Sequence, residues 1–359
     1  MENSHQILTI NPGSTSTKIA VFRNDDVVFL KTIRHSTDEL SKFKKITDQY
    51  AYRKEIIYKE LKDAEINLEQ IRAVVGRGGL VKPIPSGVYR VNEAMKKDLM
   101  NSPMGEHASN LGGLIADDIA RELPDAQAYI ADPVVVDEFD PVARYSGHPL
   151  FPRYSVFHAL NQKAIARRHA KSLMKEYEDM NLIVAHLGGG ISVGAHQKGR
   201  VIDVNQALDG DGPFSPERSG TLPMGPFLKA AFSGEYTLDE MKLMLVGKGG
   251  MCAYLGTNDA YEVEMNALGG DQKSLDVTAA MAYQTAKEIG AMSTVLKGEV
   301  DAILITGGMA NSQWFCSFII ERVYKIAPVY VYPGEDEMRA LAGNGALVLS
   351  GAVEVKEYV

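Results

Sequence analysis

The chain has 359 residues, more than one ordinary hydrophobic core holds, because single cores stop growing near about 250 to 300 residues. Hydrophobic residues make up 45% of it and charged residues 23%, the balance of a globular protein, which excludes a disordered chain. The net charge of -8 is spread without long blocks of one sign, whereas nucleic-acid binding needs a clustered basic surface. We therefore expect two domains, small ligands and no nucleic-acid partner.

Redox and targeting signals point to the cytoplasm. Cys252 and Cys316 are far apart and in no metal-binding spacing, so neither a disulfide framework nor a zinc site is predicted. We expect both to be buried thiols in a reducing compartment. The first residues lack the features of a secretory signal, and no apolar run of ~18 residues predicts a membrane span. The expectation is a cytoplasmic protein with no membrane partner.

The first elements in chain order are strands. Apolar, β-branched residues 7–10, 17–22 and 27–30 predict three strands, separated by polar turns at 11–16 and 23–26. A charged region with helical periodicity follows at residues 36–69. A strand at 71–75 then enters a Gly-Arg-Gly-Gly segment, and helices are predicted at 91–100 and 108–122.

The same pattern starts again at Leu182. Strand, Gly-rich turn, strand, polar turn and strand recur in the same order, with Asn11 aligned to His186 and Gly13 to Gly188. A duplicated domain keeps such a pattern after its residues diverge, although hairpins also produce it by chance. Further strands are predicted at 302–305 and 328–331, each followed by a helix. Strands alternate with helices throughout, which predicts an α/β fold.

Two hairpin loops are candidates for phosphate binding. Residues 13–18 combine a glycine with the hydroxyls of Ser14 and Ser16, groups that can hold phosphate oxygens. The loop is not a Walker A motif, because it joins two strands rather than a strand and a helix. The second loop is a run of three glycines, which lets the backbone approach an anion closely. Its members are Gly188, Gly189 and Gly190.

A third glycine cluster, Gly307 and Gly308, follows a strand and is a candidate adenosine contact. Each cluster alone also fits a simple tight turn. Three clusters in this order, each directly after a strand, predict duplicated actin-like (ribonuclease H-like) ATPase domains that flank a nucleotide cleft.

Charged residues in loops supply the remaining candidates. Phosphoryl transfer needs cations at the developing charge and a carboxylate for Mg²⁺. Arg77 and Arg218 lie in Gly-containing loops, where a guanidinium can bind phosphate or carboxylate bidentately; each also fits an arginine that bonds loop carbonyls. Asp132 ends an apolar strand, as expected of a metal-binding carboxylate in an α/β sheet, and an Asp-Pro turn is the alternative.

Taken together, the sequence resembles the acetate and butyrate kinases, the acyl-phosphate-forming acetokinase family of the actin-like superfamily. The resemblance covers nearly the whole chain. The segments that carry it are residues 9–18, 75–79, 157–158, 185–190 and 305–308. The Asn11-Pro12 start and the loop after Val75 are most similar to the butyrate kinase and branched-chain fatty-acid kinase branch. Acetate kinases carry an asparagine where this chain has Gly189.

The resemblance implies a carboxylate phosphotransferase. The γ-phosphoryl group of ATP would pass in line, reversibly and without a phosphoenzyme, to butyrate or a branched short-chain fatty acid, giving ADP and an acyl phosphate with Mg²⁺ bridging the phosphates. Arg77 would bind the carboxylate and the transferring group, and Arg218 and His158 would stabilise the transition state. Asp132 would act at the metal, together with Glu335 or Glu337. The implied nucleotide- and phosphate-binding residues are Asn11, Ser14, Ser16, Lys18, His186, Gly188, Gly189, Gly190, Gly307, Gly308 and Asn311.

We expect the first actin-like domain to span residues 1–155, with the terminal helix at about 340–359 packed back on it. The second domain, residues 156–339, would carry the adenosine site. The resemblance also implies a homodimer or higher homo-oligomer with contacts through the second domain.

Three alternative functions are left open by the residues. An acetate or propionate kinase would differ by only a few methylenes in its substrate pocket, each worth about 0.8 kcal/mol. An ATPase that hydrolyses ATP to change partners shares the fold, and fold alone does not settle function. A sugar kinase would need an aspartate as base for a hydroxyl, whereas a carboxylate acceptor is already ionised.

Overall fold

The computed structural model describes residues 5–359, and these divide into two compact units. The first unit contains the described residues up to Val136 together with Asp336–Val359, and the second contains Asp137–Glu335. Within residues 5–359 there are twelve strands. They are β1 Gln6–Pro12, β2 Ser16–Arg23, β3 Asp26–Arg34, β4 Ile71–Arg77, β5 Val88–Arg90, β6 Gln127–Ala131, β7 Asn181–Leu187, β8 Ile191–Gln197, β9 Arg200–Val204, β10 Ala302–Gly307, β11 Val329–Pro333 and β12 Val355–Lys356.

The same residues contain twelve α-helices. They are α1 Thr37–Leu40, α2 Tyr50–Asp63, α3 Glu93–Asn101, α4 Asn110–Arg121, α5 Ala159–Ser172, α6 Met224–Ala231, α7 Leu238–Leu245, α8 Gly250–Leu255, α9 Ala260–Leu268, α10 Gln272–Val295, α11 Gln313–Val323 and α12 Glu337–Leu349. The region 36–69 is therefore only partly helical, because α1 and α2 are separated by turns. No helix in the described part of the chain is both long enough and apolar enough to span a bilayer.

The two sheets share one topology, which confirms the α/β class and the predicted repeat. The first has seven strands among the described residues, in the order β12-β5-β6-β4-β1-β2-β3, and the second has five, in the order β11-β10-β7-β8-β9. In each, an antiparallel three-strand meander is joined by a strand parallel to its first member, β4 beside β1 and β10 beside β7. Asn11 and His186 are each the last residue but one of their strand, but Asn11 pairs with Lys18 and His186 with Ser192, so the second hairpin has one residue fewer between these pairs than the first.

In the first unit, helix α4 packs on β4 where the strand ends. The helix is amphipathic and buries Leu111, Leu114, Ile115 and Ile119 against the sheet. A Cβ on Gly76 would collide with the backbone of Gly112, so only glycine permits this approach. The close packing fixes the end of β4, and Arg77 is its last residue.

In the second unit, the long helix α10 covers the meander. Its buried face includes Met281, Ile289 and Met292, which belong to one apolar cluster with residues of β7, β8 and β10. These strands are almost wholly buried, as expected for sheet strands covered on both faces. The rigid β7 and β10 hold the glycine clusters that follow them.

The boundaries of the units differ from the expected residues 155 and 339. Residues 137–155 belong to the second unit, because Asp140 donates its N–H to Ile202 O (3.0 Å) and Arg153 pairs with Asp203 (2.9 Å). The returning C-terminal segment starts at Asp336, and α12 within it contacts β1 and β4. Beyond that helix the chain forms β12, parallel to β5, rather than continuing as helix to residue 359.

Both cysteines are free thiols, as expected. Cys316 is buried, and burial raises its pKa to about 11. Cys252 is only half-buried, so the expectation of two buried thiols is wrong for this one. It lies on the short helix α8, which presents part of its surface to solvent.

Candidate active site

The first loop, residues 13–15, joins β1 to β2 and accepts hydrogen bonds from Arg53. Arg53 lies on α2 and is 1% exposed, and burial lowers the pKa of its guanidinium to about 10. Its N–H groups donate to three backbone carbonyls of the loop region and to two side chains. The backbone acceptors are the carbonyls of Gly13 (2.8 Å), Ser14 (3.2 Å) and Ser16 (3.0 Å), and the side chains are Thr17 and Gln49.

Because its carbonyls turn inward to this guanidinium, the loop has its hydroxyls free to face solvent. Ser14 is exposed and Ser16 half-buried, while Lys18 is exposed one residue beyond the buried Thr17. The side chains of residues 14, 16 and 18 are therefore at least partly exposed, and their contact with phosphate stays a prediction. Arg53 itself was not foreseen from the sequence.

At the end of the first sheet, Asn11, Arg77 and Glu337 form one cluster. Arg77 Nη1 lies 3.0 Å from Glu337 Oε1 and donates to Asn11 Oδ1 at 3.3 Å. Asn11 Nδ2 also donates to Glu337 Oε2. The three residues come from the carboxyl ends of the parallel strands β1 and β4 and from the first turn of α12, and such strand ends are where α/β sheets bind ligands. Arg77 and Glu337 are 22% and 14% exposed, so ligands have only partial access to the pair.

Asp132 follows β6 directly, as predicted, and is 1% exposed. Its Oδ1 accepts hydrogen bonds from Ser86 Oγ (2.6 Å) and Gly87 N (3.0 Å). It also adopts a positive φ of 39°, unusual for a residue other than glycine. These contacts give Asp132 a structural role in the loop at residues 86–87, the turn-stabilising alternative that the Asp-Pro sequence suggested.

The second loop contains Gly188, Gly189 and Gly190 and joins β7 to β8. Gly188 N donates to Gly190 O (3.0 Å), closing the turn, and Ser215 Oγ donates to Gly189 O (2.5 Å). Gly307 ends β10 with a φ of 99°, and a Cβ there would collide with the backbone of Leu187. Glycine at 307 thus brings the third glycine cluster against the end of β7.

Arg218 lies beside the second loop in partial burial. Nη1 donates to Ala207 O, and a Cβ on Gly190 would collide with its guanidinium. Burial lowers the pKa of Arg218, opposed by Glu217 and by Asp209. Arg218 Nε is buried and has no hydrogen-bond partner among the described residues. An unpaired buried donor is costly unless a ligand satisfies it, so this atom fits an anionic group.

Two histidines stack at the same end of the second sheet. His158 precedes α5, and His186 ends the apolar run of β7; their ring centroids are 3.8 Å apart. His186 Nδ1 is 2.8 Å from Asn161 Oδ1, and His186 Nε2 lies 3.1 Å from Glu335 Oε1. Glu335 and Glu337, two residues apart, thus contact different partners, His186 and Arg77.

A cavity of about 880 Å³ lies next to the third glycine cluster in the second unit. Gly308 and Asn311 line it, and Asn311 Nδ2 donates to Gly308 O (2.9 Å). Apolar walls come from Met281 and Trp314, and acidic side chains include Glu264. A pocket of this size with mixed walls is typical of a site for a drug-sized organic ligand, and a nucleoside fits the description.

Several functional side chains escaped the sequence analysis. Arg53 contacts Gly13, which is 40 residues earlier in the chain, and Ser215 contacts Gly189 across 26 residues. Asn161 and Ser192 bond the two stacked histidines. No clear sequence signal marked Asn161, because α5 carries polar and charged residues along its length; the structure shows that Asn161, Gln162 and Lys163 are all buried.

Comparison with known proteins identifies relatives in sequence and in structure. The acetokinase family profile matches residues 143–355. Butyrate kinase 2 of Clostridium acetobutylicum is 56% identical over 353 residues, which cover 98% of this chain and 99% of that protein. Acetate kinase of Porphyromonas gingivalis superposes with a TM-score of 0.80 at 18% identity, covering 96% of this chain and all of the other. A propionate kinase of Francisella tularensis gives a TM-score of 0.75 at 20% identity, covering 95% and 98%.

The structural similarities confirm the fold predicted from the sequence. At these identities the solved structures establish the architecture alone, the actin-like fold with its repeated sheet topology.

Proposed function

The chain belongs to the acetokinase family, and from this premise we propose that it is an ATP-dependent butyrate kinase. It transfers the γ-phosphoryl group of ATP to butyrate or a branched short-chain fatty acid and releases ADP and an acyl phosphate. The observation that carries the proposal is the near-full-length similarity to butyrate kinase 2. A carboxylate acceptor also agrees with the two loop arginines, which bind planar anions bidentately.

The proposed chemistry requires little covalent participation by the protein. The acceptor carboxylate is already ionised at neutral pH, so no general base is needed. Positive groups must stabilise charge on the transferring phosphoryl oxygens. Arg218 supports this role, because its buried Nε–H has no hydrogen-bond partner among the described residues and could donate to a bound anion. We assign Arg77 to the acceptor carboxylate and the transferring group, and His158 to the transition state beside Arg218.

We propose two phosphate contacts and one adenosine contact. Residues 14, 16 and 18 of the first unit and Gly188, Gly189 and Gly190 of the second would bind the phosphates, with His186 and Asn11 beside them. The cavity lined by Gly308 and Asn311, after Gly307, would hold the adenosine. Its volume of about 880 Å³ is ample for a nucleoside.

The donor atoms also fit Mg²⁺ bound with the nucleotide. Such ions keep most of their waters and take only one or two protein carboxylates. No group of three or more metal-ligating side chains occurs in residues 5–359. We propose Glu337, with Asn11 Oδ1 beside it, as the protein side of the site. When bound, the ion supplies positive charge between the phosphates.

Asp132 and Glu335 stay predictions for the metal beside Glu337. All three carboxylates have partners: Asp132 accepts from Ser86 and Gly87, Glu335 lies beside His186, and Glu337 beside Arg77. The Mg²⁺ dependence of Asp132→Asn, Glu335→Gln and Glu337→Gln would separate the three.

The test of function is a hydroxamate assay with Mg-ATP, hydroxylamine and a panel of acids: acetate, propionate, butyrate, isobutyrate and isovalerate. A maximum of trapped acyl hydroxamate at four or five carbons is expected. A maximum at acetate or propionate would identify a two- or three-carbon acid as the substrate. ATP binding without product from any acid would contradict the proposal of an acyl kinase.

We also propose a homodimer or higher homo-oligomer. Met224 and Leu228 on α6, Phe232 directly after it and Leu238 at the start of α7 are 76%, 59%, 84% and 70% exposed. These exposed apolar side chains are our candidates for a subunit contact. Sedimentation velocity of the wild type and of Phe232→Glu tests this. A charge placed in an apolar subunit contact should dissociate the oligomer and lower the sedimenting mass. The cytoplasmic location stays a prediction.

A further inference from the structure

Five side chains of the second unit form a continuous chain of hydrogen bonds that ends on His158. His158 Nδ1 is 2.9 Å from Ser192 Oγ, and Gln162 Nε2 is 2.8 Å from that same oxygen. Gln162 Oε1 is 2.9 Å from His196 Nε2, and Tyr177 OH is 2.7 Å from His196 Nδ1. We call Ser192, Gln162, His196 and Tyr177 the histidine relay.

The fold places these groups in line. Ser192 and His196 are four residues apart on β8, so they share a face of the strand, and Gln162 comes from the first turn of α5. Gly194 lies between them on that face. A Cβ at 194 would lie 2.6 Å from Gln162 Oε1 and 3.2 Å from His196 Nε2, so glycine leaves the room that the relay occupies.

The direction of every bond follows from one fixed acceptor. Gln162 Nε2 is 3.0 Å from the backbone oxygen of Ser192, a carbonyl that can only accept, so the amide nitrogen must face it. The amide oxygen therefore faces His196 Nε2, which must carry a proton. A neutral His196 then accepts at Nδ1, and Tyr177 donates its hydroxyl proton there.

His196 is held neutral by its surroundings. It is completely buried, and burial lowers its pKa well below the ordinary value; the cations Lys163 and Arg167 lower it further. A neutral imidazole has one N–H and one acceptor nitrogen, so the relay has only one arrangement of protons.

At its other end the relay contacts His158. Ser192 Oγ already accepts one Gln162 N–H, so its own proton is available to His158 Nδ1, 2.9 Å away. We propose that the histidine relay fixes neutral His158 as the tautomer that carries its proton on Nε2, making Nε2 a hydrogen-bond donor to the transferring phosphoryl group. This inference rests on the proposed function of His158, and the four relay residues are positioning residues.

The benefit is a donor that requires no positive charge. Donors aimed in advance at developing charge stabilise a transition state without reorganisation. The groups that contact His158 include Ser192 of β8 and the stacked ring of His186 of β7, which in turn lies beside Glu335. A neutral His158 can donate from Nε2 without adding a positive charge next to the His186 ring.

The first experiment reads the tautomer directly and needs no turnover. Histidine-selective ¹⁵N labelling with long-range ¹H–¹⁵N correlation, assigned by loss of signals in His158→Gln, reports which ring nitrogen carries the proton. We expect a protonated Nε2 and an unprotonated Nδ1 at neutral pH. A protonated Nδ1 would overturn the proposal even in an active enzyme. An inactive protein with the expected tautomer would instead contradict the proposed function.

The second experiment measures kinetics in relay variants. Removing a partner that orients a functional histidine typically lowers activity or ligand affinity about 10–100-fold. We therefore expect Ser192→Ala to lower kcat about 10-fold or more, with little change in the KM for ATP or in the KM for the acid. Tyr177→Phe should show a smaller loss of the same kind. Tyr332→Phe, which removes a tyrosine bond to His169 Nδ1 (2.8 Å) outside the relay, is the matched control and should keep wild-type kcat.

Folding defects and orientation defects are separated by the spectra. In folded Ser192→Ala the His158 Nδ1 resonance should move as its hydrogen bond is lost, with kcat reduced. Unchanged kcat and an unchanged Nδ1 resonance would show that the relay has no influence on His158.

Discussion

The imidazole rings of His158 and His186 stack with centroids 3.8 Å apart and planes only 13° from parallel. Each ring has its own anchor, Ser192 for His158 and Asn161 for His186, both at hydrogen-bond distance. Two imidazolium ions face to face at this distance would repel each other. On the side of His186, Glu335 Oε1 lies 3.1 Å from Nε2.

Replacing His158 should damage the chemistry more than binding. We expect His158→Gln to lower kcat ~10²-fold or more, the usual value of a proton or hydrogen-bond donor to a transition state, with Tm almost unchanged. The hydroxamate assay measures this. His148→Gln is the control, because His148 is exposed on a surface loop. Retention of kcat in His158→Gln would remove His158 from the active site.

Arg77 should behave as a transition-state residue. It bridges Asn11 and Glu337, and we expect Arg77→Ala to lower kcat ~10³-fold, as for arginines that clamp a transferring phosphoryl group. Arg77→Lys should recover little, since lysine lacks the planar fork. The matched control is Arg90→Ala on the same sheet, an arginine half exposed beside Glu357. Near-normal turnover in Arg77→Ala would contradict the assignment.

Arg53 should matter for both stability and nucleotide binding. Its removal takes a shared donor from the part-buried carbonyls of Gly13, Ser14 and Ser16, so we expect Arg53→Ala to lower the free energy of unfolding by about 3 kcal/mol and Tm by ~6 °C. KM for ATP should rise as the loop loses its shape. Thermal unfolding and steady-state kinetics measure the two effects, with the exposed Arg34→Ala as control. A loss of stability without any change in the KM for ATP would show that Arg53 does not influence phosphate binding.

Glu288 on α10 should make stability depend on pH. Burial raises its pKa to about 7 from an ordinary 4.5; Asp211 and Asp203 raise it too, against Arg153 and Lys287. The folded state thus binds its proton more tightly than the unfolded state, so stability falls as pH rises from about 4.5 to 7.

Glu288→Gln removes this titration. We expect Tm of the variant to exceed that of the wild type by ~3 °C or more at pH 8 and to match it near pH 4.5. Scanning calorimetry across this range measures the difference. Asp276→Asn, an exposed carboxylate on the same helix, should show no such dependence on pH. A constant difference at all pH values would mean that Glu288 does not titrate in this window.

Local residue patterns were sufficient for the strands and for the repeat. Apolar β-branched runs gave β1, β4, β7 and β10 within two residues, because strand formation here depends on near-neighbour composition. Region 36–69 was less well predicted, since charged residues with weak amphipathicity leave the helix ends to tertiary contacts. The unit boundary at Val136 also escaped, because residues 137–155 are ordered by Asp203 and Ile202 far along the chain.

The sequence alone determined the family, the α/β class and the chemical types at the site, because glycine after a strand and arginine in a glycine loop each have few physical uses. Tertiary structure decided which groups meet. Only the fold brings Glu337 to Arg77 and Asn11, Glu335 to His186, and Arg53 beneath the first loop, across separations that leave no local signal. The relay behind His158 is likewise decided by the packing of α5 on β7 and β8, since hydrogen-bond direction depends on atoms in space rather than on neighbours in the chain.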